Sequence, residues 1–385
     1  RASRIPPTIP NATGSRGGIR MIEHRTSTSS HPSKGTKMLP HTSKRRILKH
    51  ALGIGAGVVA LALVATGCSS GSGGGSTSGG DKNYKISFLP KNLGNPYFDT
   101  SDKGGQTAVK SFGGTYNQVG PSTATADAQV SYINTLTQQG VGAIVLSAND
   151  PTALGSALTQ AKSSNVKIVT FDSDTDPKFR DVFVNQATAA GIAKVQVDTI
   201  TKEIGDSGEV AILSAAANAT NQNAWIDLMK TDLAKNHPNV KLVDTVYGND
   251  DDQTSFDKTA ALLQTHPNLK GIVSPTTVGI AAAARYLSTS AFKGKVKLTG
   301  LGTPNQMREF VKDGTVDEFA LWNPEDLGYL AAFTAKALID GTITGKKGDS
   351  FEAGKLGKFT VGDNATVLLG DPFVFNKDNI DKFNF

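Results

Sequence analysis

From residue 85 onward, short apolar runs rich in β-branched residues alternate with longer stretches of helical periodicity. Lys85-Ile86-Ser87-Phe88-Leu89-Pro90 reads as a first strand. Residues 99–112 read as a helix stopped by Gly113-Gly114, and Thr115 to Val119 as a second strand. A helix over 124–139 carries Val130, Ile133 and Leu136 at near-helical spacing. A strand at 143–147, a helix from Pro151 to Ser163 and a strand at 166–171 follow, then an apolar run at 181–184. The rhythm continues with a helix at 187–204, a strand at 209–214, a helix at 221–235 and a strand at 240–247. It closes with helices at 253–265 and 278–289 and strands at 271–274 and 297–301. Such βαβα alternation predicts an α/β fold with parallel sheets and helices on both faces. Continuously apolar strands agree, because strands of a parallel sheet are buried on both sides.

Two features predict two similar halves. About five strands fall on each side of residue 185, and His237-Pro238-Asn239-Val240-Lys241 is echoed by His266-Pro267-Asn268-Leu269-Lys270. Both histidines stand directly before proline, as at helix ends.

Composition changes the picture at the other end of the chain. Residues 1–50 hold eleven Lys and Arg against the single acid Glu23, residues 51–80 hold no charge, and the rest carries 29 bases against 33 acids. The overall charge of +6 therefore belongs to the first segment and is no footprint of a nucleic-acid partner. Lys44-Arg45-Arg46 precedes an apolar stretch from Ala51 to Val64, then Ala65-Thr66-Gly67-Cys68 and a Gly/Ser-rich run. A basic region, a short apolar region and small residues are the marks of an export signal. The expected division is a non-structural extension at 1–37, a signal peptide at 38–67, and a flexible tether at 68–82. Cys68, the one cysteine, is placed as a lipobox cysteine is, so lipidation there would anchor the chain to the outer face of the cell membrane.

About 300 residues remain, enough for two lobes of ordinary size. They contain no cysteine and only His237 and His266, so a zinc site or a histidine triad lacks its residues. No Gly-x-Gly-x-x-Gly follows a strand and no Walker-type Lys-Ser/Thr occurs, so no nucleotide cofactor is expected, nor any other. Asn249-Asp250-Asp251-Asp252 lacks the spacing and glycine of a calcium loop and reads as charge at a helix N-terminus.

In open α/β sheets the ligand site lies beyond the carboxyl ends of the strands. There this chain offers Lys91 to Phe98, Ser147 to Pro151, Asp172-Ser173-Asp174, Ala219 to Asn223, Ser274 to Thr277, Gly302 to Asn305 and Leu321 to Pro324. Amides, carboxylates, hydroxyls, a lysine and aromatic rings suit a neutral polyol: polar groups meet vicinal hydroxyls and a ring covers the apolar face of a pyranose.

Several stretches resemble the ribose-binding class of periplasmic sugar receptors. They are Phe88-Leu89-Pro90-Lys91 with Asn95-Pro96-Tyr97-Phe98, Ile144 to Asp150, Thr170-Phe171-Asp172-Ser173-Asp174-Thr175, Asn221-Gln222-Asn223 with Trp225, and Gly302 to Arg308. Together they are similar to the rhamnose-binding and autoinducer-2-binding branch. The likeness spans about residues 83–385 with its motifs in order. It implies the type I periplasmic-binding fold: two Rossmann-like lobes, joined by three crossings, that close on a sugar and deliver it to an ABC permease. The implied lobes are 83–185 plus 323–345 and 186–322 plus 346–385, with crossings near Val184-Asn185, near Trp322-Asn323 and near 345. The implied protein is a monomer and not an enzyme. Implied ligand contacts in the first half are Lys91, Asn95, Phe98, Asp172 and Asp174. In the second half they are Asn221, Gln222, Pro275, Thr277 and Asn305, and at a crossing Trp322 and Asn323.

Autoinducer-2 receptors of this class present a lysine, an aspartate, an Asp-Gln pair and a Pro-x-Ala. Here stand Lys91, Asp172, Asn221-Gln222 and Pro275-Thr276-Thr277, so Asn221 and Thr277 depart. The departures favour rhamnose or a related deoxyhexose, with autoinducer-2, ribose and xylose as alternatives. Competing structural roles exist for several positions: Asp172 and Asn221 as helix N-caps, Asp174 as a turn residue, Lys91 as a solvated loop lysine, and Trp225 as core. Asp172 with Asp174 also raises a glycosidase reading. A DNA-binding regulator is disfavoured, because no helix-turn-helix pattern precedes residue 83.

Overall fold

The computed structural model describes residues 82–385. The expected extension at 1–37, the signal peptide at 38–67, Cys68 and nearly all of the tether lie outside the described residues.

The chain alternates as the pattern predicts. β1 (Lys85–Leu89), α1 (Pro96–Ser111), β2 (Thr115–Gln118), α2 (Ala126–Gln138), β3 (Ala143–Leu146), α3 (Gly155–Ser163), β4 (Lys167–Phe171) and β5 (Val182–Asn185) build the first half. α4 (Ala189–Ile204), β6 (Gly208–Ser214), α5 (Thr220–Asn236), β7 (Val240–Tyr247), α6 (Asp252–Thr265), β8 (Leu269–Ser274), α7 (Thr277–Ser288), β9 (Lys297–Gly300), α8 (Pro304–Lys312) and β10 (Glu318–Leu321) build the second. The remaining segment holds α9 (Pro324–Asp340), β11 (Ser350–Glu352), β12 (Lys358–Thr360), β13 (Thr366–Leu368) and β14 (Phe373–Asn376).

Two sheets result. The first has six parallel strands in the order β13-β5-β4-β3-β1-β2. The second has the parallel order β7-β6-β8-β9. A Leu301–Ala320 bridge carries it on to β10, which pairs antiparallel with β14. β1, β3 and β4 are almost wholly buried, as strands covered by helices on both faces must be.

Helix starts shift from the expected ones for local reasons. α1 begins at Pro96 because Asn95 caps it, its side chain accepting the Tyr97 N–H, and proline suits the first helical turn. α3 begins only at Gly155, because the Asp150 carboxylate first gathers the N–H groups of Thr152 and Ala153 into a turn. The pairing of α1 with α9 depends on glycine: a Cβ on Gly104 would fall on the Glu325 carbonyl, and one on Gly328 on the Ser101 carbonyl. The helices touch backbone to backbone there.

The third crossing differs from expectation. Segment 346–385 does not stay with the second half. α9 lies against β3, β4 and β5, the β11–β12 hairpin lies on α9, and β13 joins the outer edge of β5. Only β14 returns to the second sheet, so the chain crosses between Leu368 and Phe373 rather than near 345. Arg180 fixes this arrangement, donating from Nη1 to the carbonyls of Asn364 and Ala365 just before β13. Among the described residues no helix is long and apolar enough to cross a membrane.

Candidate functional site

The carboxyl ends of the two sheets face each other across a crevice. In the first lobe the strand ends are tied together by the fully buried Gln129 of α2. Its amide donates to the carbonyls of Pro90 and Ser147 at 3.0 and 2.8 Å and accepts the Asn149 N–H at 2.9 Å. Asn149 in turn donates to the Lys91 carbonyl at 2.9 Å. These bonds hold the exits of β1 and β3 in fixed positions.

Lys91 leaves the end of β1 and reaches the other lobe. Its Nζ donates to Asn221 Oδ1 at 2.9 Å and to Gln222 Oε1 at 3.2 Å, with only 3 % of the residue exposed. Asn221 and Gln222 occupy the first turn of α5. The contact is a charge-assisted pair of hydrogen bonds between lobes, of the stronger kind.

Asp172 stands at the end of β4 with φ 61°, a left-handed conformation uncommon outside glycine. Its carboxylate accepts from Tyr97 Oη at 3.1 Å and Ser147 Oγ at 2.7 Å. Its carbonyl accepts from Gln186 and, more distantly, from Asn221 of the other lobe. Burial pushes the Asp172 carboxyl above its ordinary value; the Lys91 charge and the two hydroxyl donors oppose this, and Asp250 adds to it. The Tyr97 phenol is pushed well above its ordinary value by burial and by the Asp172 charge, so Tyr97 keeps its proton and donates it. Tyr97 also accepts from Trp322 Nε1 at 2.9 Å, giving the chain Trp322–Tyr97–Asp172.

The second lobe contributes matching loops. After β7, Asn249 and Asp250 take φ 57° and 51°, two successive left-handed residues. Backbone strain of this kind persists only where surrounding structure holds it, often at ligand sites. Thr276 hydrogen-bonds the Asp250 carboxylate, and Gln222 Nε2 lies 3.4 Å from the Pro275 carbonyl. Trp225 and Trp322 meet edge to face at 6.1 Å, and Tyr97 meets Trp322 in the same manner.

These groups line one cleft with about 350 Å³ of space, part of it open to solvent. The structure brings Lys91, Asn95, Phe98, Asp172, Gln222, Pro275, Thr277 and Trp322 to its wall. Asn221 stands directly behind, holding Lys91. Asp174, Asn305 and Asn323 are placed elsewhere. Asp174 is held by Arg180 through two bonds of 2.8 Å and accepts from Thr170. Asn305 is exposed on α8 beside Arg308. Asn323 caps α9, accepting the Glu325 N–H. Six wall residues lie outside the expected set: Tyr97, Thr276, Leu301 and Leu321, together with Asp250, read from sequence as helix-terminal charge, and Trp225, read as core. The signal for Asp250 was its position in the short loop after β7, in an Asn-Asp pair, residue types that tolerate the left-handed conformation.

Chemically, the wall offers carboxylates, an ammonium group, amides and hydroxyls from two lobes, with aromatic and aliphatic surface between them. Asp174 is committed to Arg180, so Asp172 and Asp174 do not present a carboxylate pair to a bond in the cleft. Among the described residues, no group of three His, Cys, Asp or Glu is placed to hold a metal ion.

Residues 86–343 match the family described as periplasmic binding protein domain. The structure of a sugar ABC transporter from Actinomyces odontolyticus is 53 % identical, covering 78 % of this chain and 97 % of that one, with a TM-score of 0.64. An ABC transporter solute binding protein from Clostridium phytofermentas with bound L-rhamnose is 40 % identical, covering 77 % and 97 %, with a TM-score of 0.75. LsrB from Clostridium saccharobutylicum in complex with AI-2 is 28 % identical, covering 78 % and 99 %, with a TM-score of 0.74.

Proposed function

Because the chain belongs to the periplasmic binding protein family, as a sugar-binding protein of type I, we propose that it is the solute-binding component of an ABC sugar importer and that it takes rhamnose or a related deoxyhexose. The observation that carries this reading is the composition of the cleft wall. Lys91, Asp172, Gln222, Asp250 and Thr277 supply hydroxyl partners from both lobes, while Phe98, Leu301 and Leu321 supply apolar surface for a methyl group. A hydroxymethyl group there would need a partner that aliphatic residues lack. The similar protein with bound L-rhamnose supports the same class.

Binding proceeds by lobe closure. A ligand shifts an open-closed equilibrium only through contacts that differ between the two states. Contacts from both lobes satisfy that condition, as Lys91 already does by bridging to Asn221 and Gln222. No group changes covalently, so the product of binding is the closed form itself, which an ABC permease engages. Lipidation of Cys68 would hold a monomeric receptor beside that permease; Cys68→Ala, followed by fractionation and lipid labelling, tests the anchor.

A thermal-shift screen followed by calorimetry against rhamnose, fucose, ribose, xylose, galactose and autoinducer-2 tests the ligand. The expected order places a deoxyhexose first. Tightest binding of autoinducer-2 would instead favour the second reading, on which Asn221 and Thr277 stand where that class carries aspartate and alanine. Stabilisation by none of these compounds overturns the sugar assignment.

A further inference from the structure

Asp172 sits in a turn that is not self-supporting. The Ser173 N–H donates to the Phe171 carbonyl at 2.6 Å and closes a three-residue turn around Asp172, whose φ is 61°. With a positive central φ this is the rarer, strained form of that turn. Strain of this kind persists only where the surroundings over-determine it. One side is pinned through Ser173, whose carbonyl accepts the Ala148 N–H at 2.9 Å, just past the end of β3. The Asp172 carbonyl takes no part in the closure, and the residue is 5 % exposed, so this oxygen needs a donor of its own.

Among the described residues two side chains reach it. Asn221 Nδ2 comes from the second lobe at 3.4 Å, a contact that lobe opening breaks. Gln186 Nε2 donates at 3.1 Å from the first crossing, directly after β5. The hinge holds the Gln186 main chain: the Gly370 N–H of the third crossing donates to its carbonyl at 3.3 Å, beside a 2.9 Å bond from the Leu369 N–H to the Asn185 carbonyl. The Gln186 side-chain oxygen, Oε1, is buried with no partner. Such an acceptor costs free energy, so packing alone gives no reason for an amide at this place. The bond to Asp172 does give one. A carbonyl only accepts, so the NH2 is the end of the amide turned toward it.

We propose that Gln186 is the positioning residue for Asp172: it holds the strained turn in the open, sugar-free form and so keeps the carboxylate on Tyr97 and Ser147 before a ligand arrives. This rests on the reading of the cleft as a sugar site with Asp172 on its wall. Gln186→Met and Gln186→Leu test it, because each removes the donor and the partnerless oxygen together and keeps a long apolar stem. Gln196→Leu is the control. Gln196 is equally buried, also carries a partnerless oxygen, and donates only within α4, to the Ile192 carbonyl.

Calorimetry with L-rhamnose across pH, with a sugar-free melt of each protein, reads the result. Both Gln186 variants are expected to fold and to bind about tenfold more weakly, with Gln196→Leu within about twofold of the original. The charged carboxylate accepts sugar hydroxyls, so affinity falls as pH drops through the Asp172 titration. Burial and Asp250 raise that carboxyl, while Lys91, Ser147 and Tyr97 oppose the rise. A carboxylate that leaves Ser147 and Tyr97 loses two of the opposing groups, so the fall should move to higher pH in both variants. A packing role would instead lower the melting temperature and leave affinity and its pH profile in place, and that result overturns the proposal. Should neither variant fold, NMR on the unaltered, sugar-free protein decides: a scalar coupling between Gln186 Nε2 and the Asp172 carbonyl carbon supports the bond, and its absence overturns it. Failure of the unaltered protein to bind any sugar overturns the proposal together with the reading beneath it.

Discussion

Lys91→Met tests the closure mechanism at its most direct contact. Methionine preserves most of the stem volume and removes the charge and both donors. In the structure Nζ holds Asn221 Oδ1 at 2.9 Å and Gln222 Oε1 at 3.2 Å across the crevice. Hydrogen bonds involving a charged group contribute about 1.5–3 kcal/mol each. Losing the pair, whether Nζ holds these amides or a sugar hydroxyl in the complex, costs about 3 kcal/mol of closure. At about 1.4 kcal/mol per tenfold, sugar affinity falls roughly a hundredfold. A second effect follows through Asp172. Burial raises its carboxyl and Lys91 opposes that rise, so removing the ammonium lets the carboxyl climb further. The charged carboxylate is the form that accepts sugar hydroxyls. Affinity is therefore full above the Asp172 titration and lost as pH falls through it, and in Lys91→Met this acid limb moves to higher pH. Calorimetry across pH, with small-angle scattering to follow closure and a ligand-free melt to confirm folding, reads both effects. Affinity within twofold of the original and an unmoved acid limb in a folded variant would refute the bridging role.

Asp174→Ala should lower the melting temperature and leave sugar affinity unchanged, because its partner Arg180 is almost wholly buried and breaking such a pair costs about 3–5 kcal/mol; a loss of affinity with stability intact would return Asp174 to the site. The two tryptophans of the chain, Trp225 and Trp322, both line the cleft, so sugar binding should change intrinsic fluorescence, and Trp322→Phe should abolish most of that change; an unaltered signal in Trp322→Phe would contradict its placement. Glu203→Gln should stabilise the protein at alkaline pH. Both Glu203 oxygens are buried without partners, and burial, with Asp317 and Glu318 adding and Lys297 opposing, raises its carboxyl from 4.5 to about 8. The folded form binds this proton more tightly, so stability falls as pH rises from about 4.5 through about 8. The gain in the variant should be on the order of 5 kcal/mol at pH 9 and vanish below pH 4.5; a gain independent of pH would point to packing instead.

Much of this arrangement was legible in the chain. Buried parallel strands announce themselves as continuous apolar runs, which narrows the site to a few loops, and the resemblance to the ribose-binding class then picked out Lys91, Asp172 and Gln222 among them. What failed to show was set by contacts distant in sequence or by short elements. β13 spans only Thr366–Leu368, too brief for periodicity, and its place beside β5 depends on Arg180 reaching the carbonyls before it. Asp174 lies two residues beyond Asp172, but Arg180 draws it out of the cleft, a choice no local pattern encodes. Asn323 follows a strand end like a ligand residue, and the same position before Pro324 makes it a helix cap. Asp250 was hidden by the acidic run around it, whose neighbour Asp251 does cap α6 as charge near a helix N-terminus should.

The aromatic trio at the crossing shows which lobe decides specificity on the proposed mechanism. Trp322 directly follows β10 of the second sheet, yet its next neighbours are the cap and first turn of α9, which belongs to the first lobe. Its Nε1 is hydrogen-bonded to Tyr97 of the first lobe, whereas it meets Trp225 of the second only by ring edge. The hydrogen bond is the stronger tie, so opening carries Trp322 with Tyr97 and Asp172 and separates it from Trp225. The first lobe thus keeps a preformed half-site, with Asp172, Tyr97 and Trp322 in place before closure. A sugar that meets only these groups binds without favouring the closed state. Closure requires contacts to Asp250, Gln222 and Thr277, so the hydroxyls facing those three residues determine which sugars complete the closed form, while the first lobe sets how tightly any of them are first held.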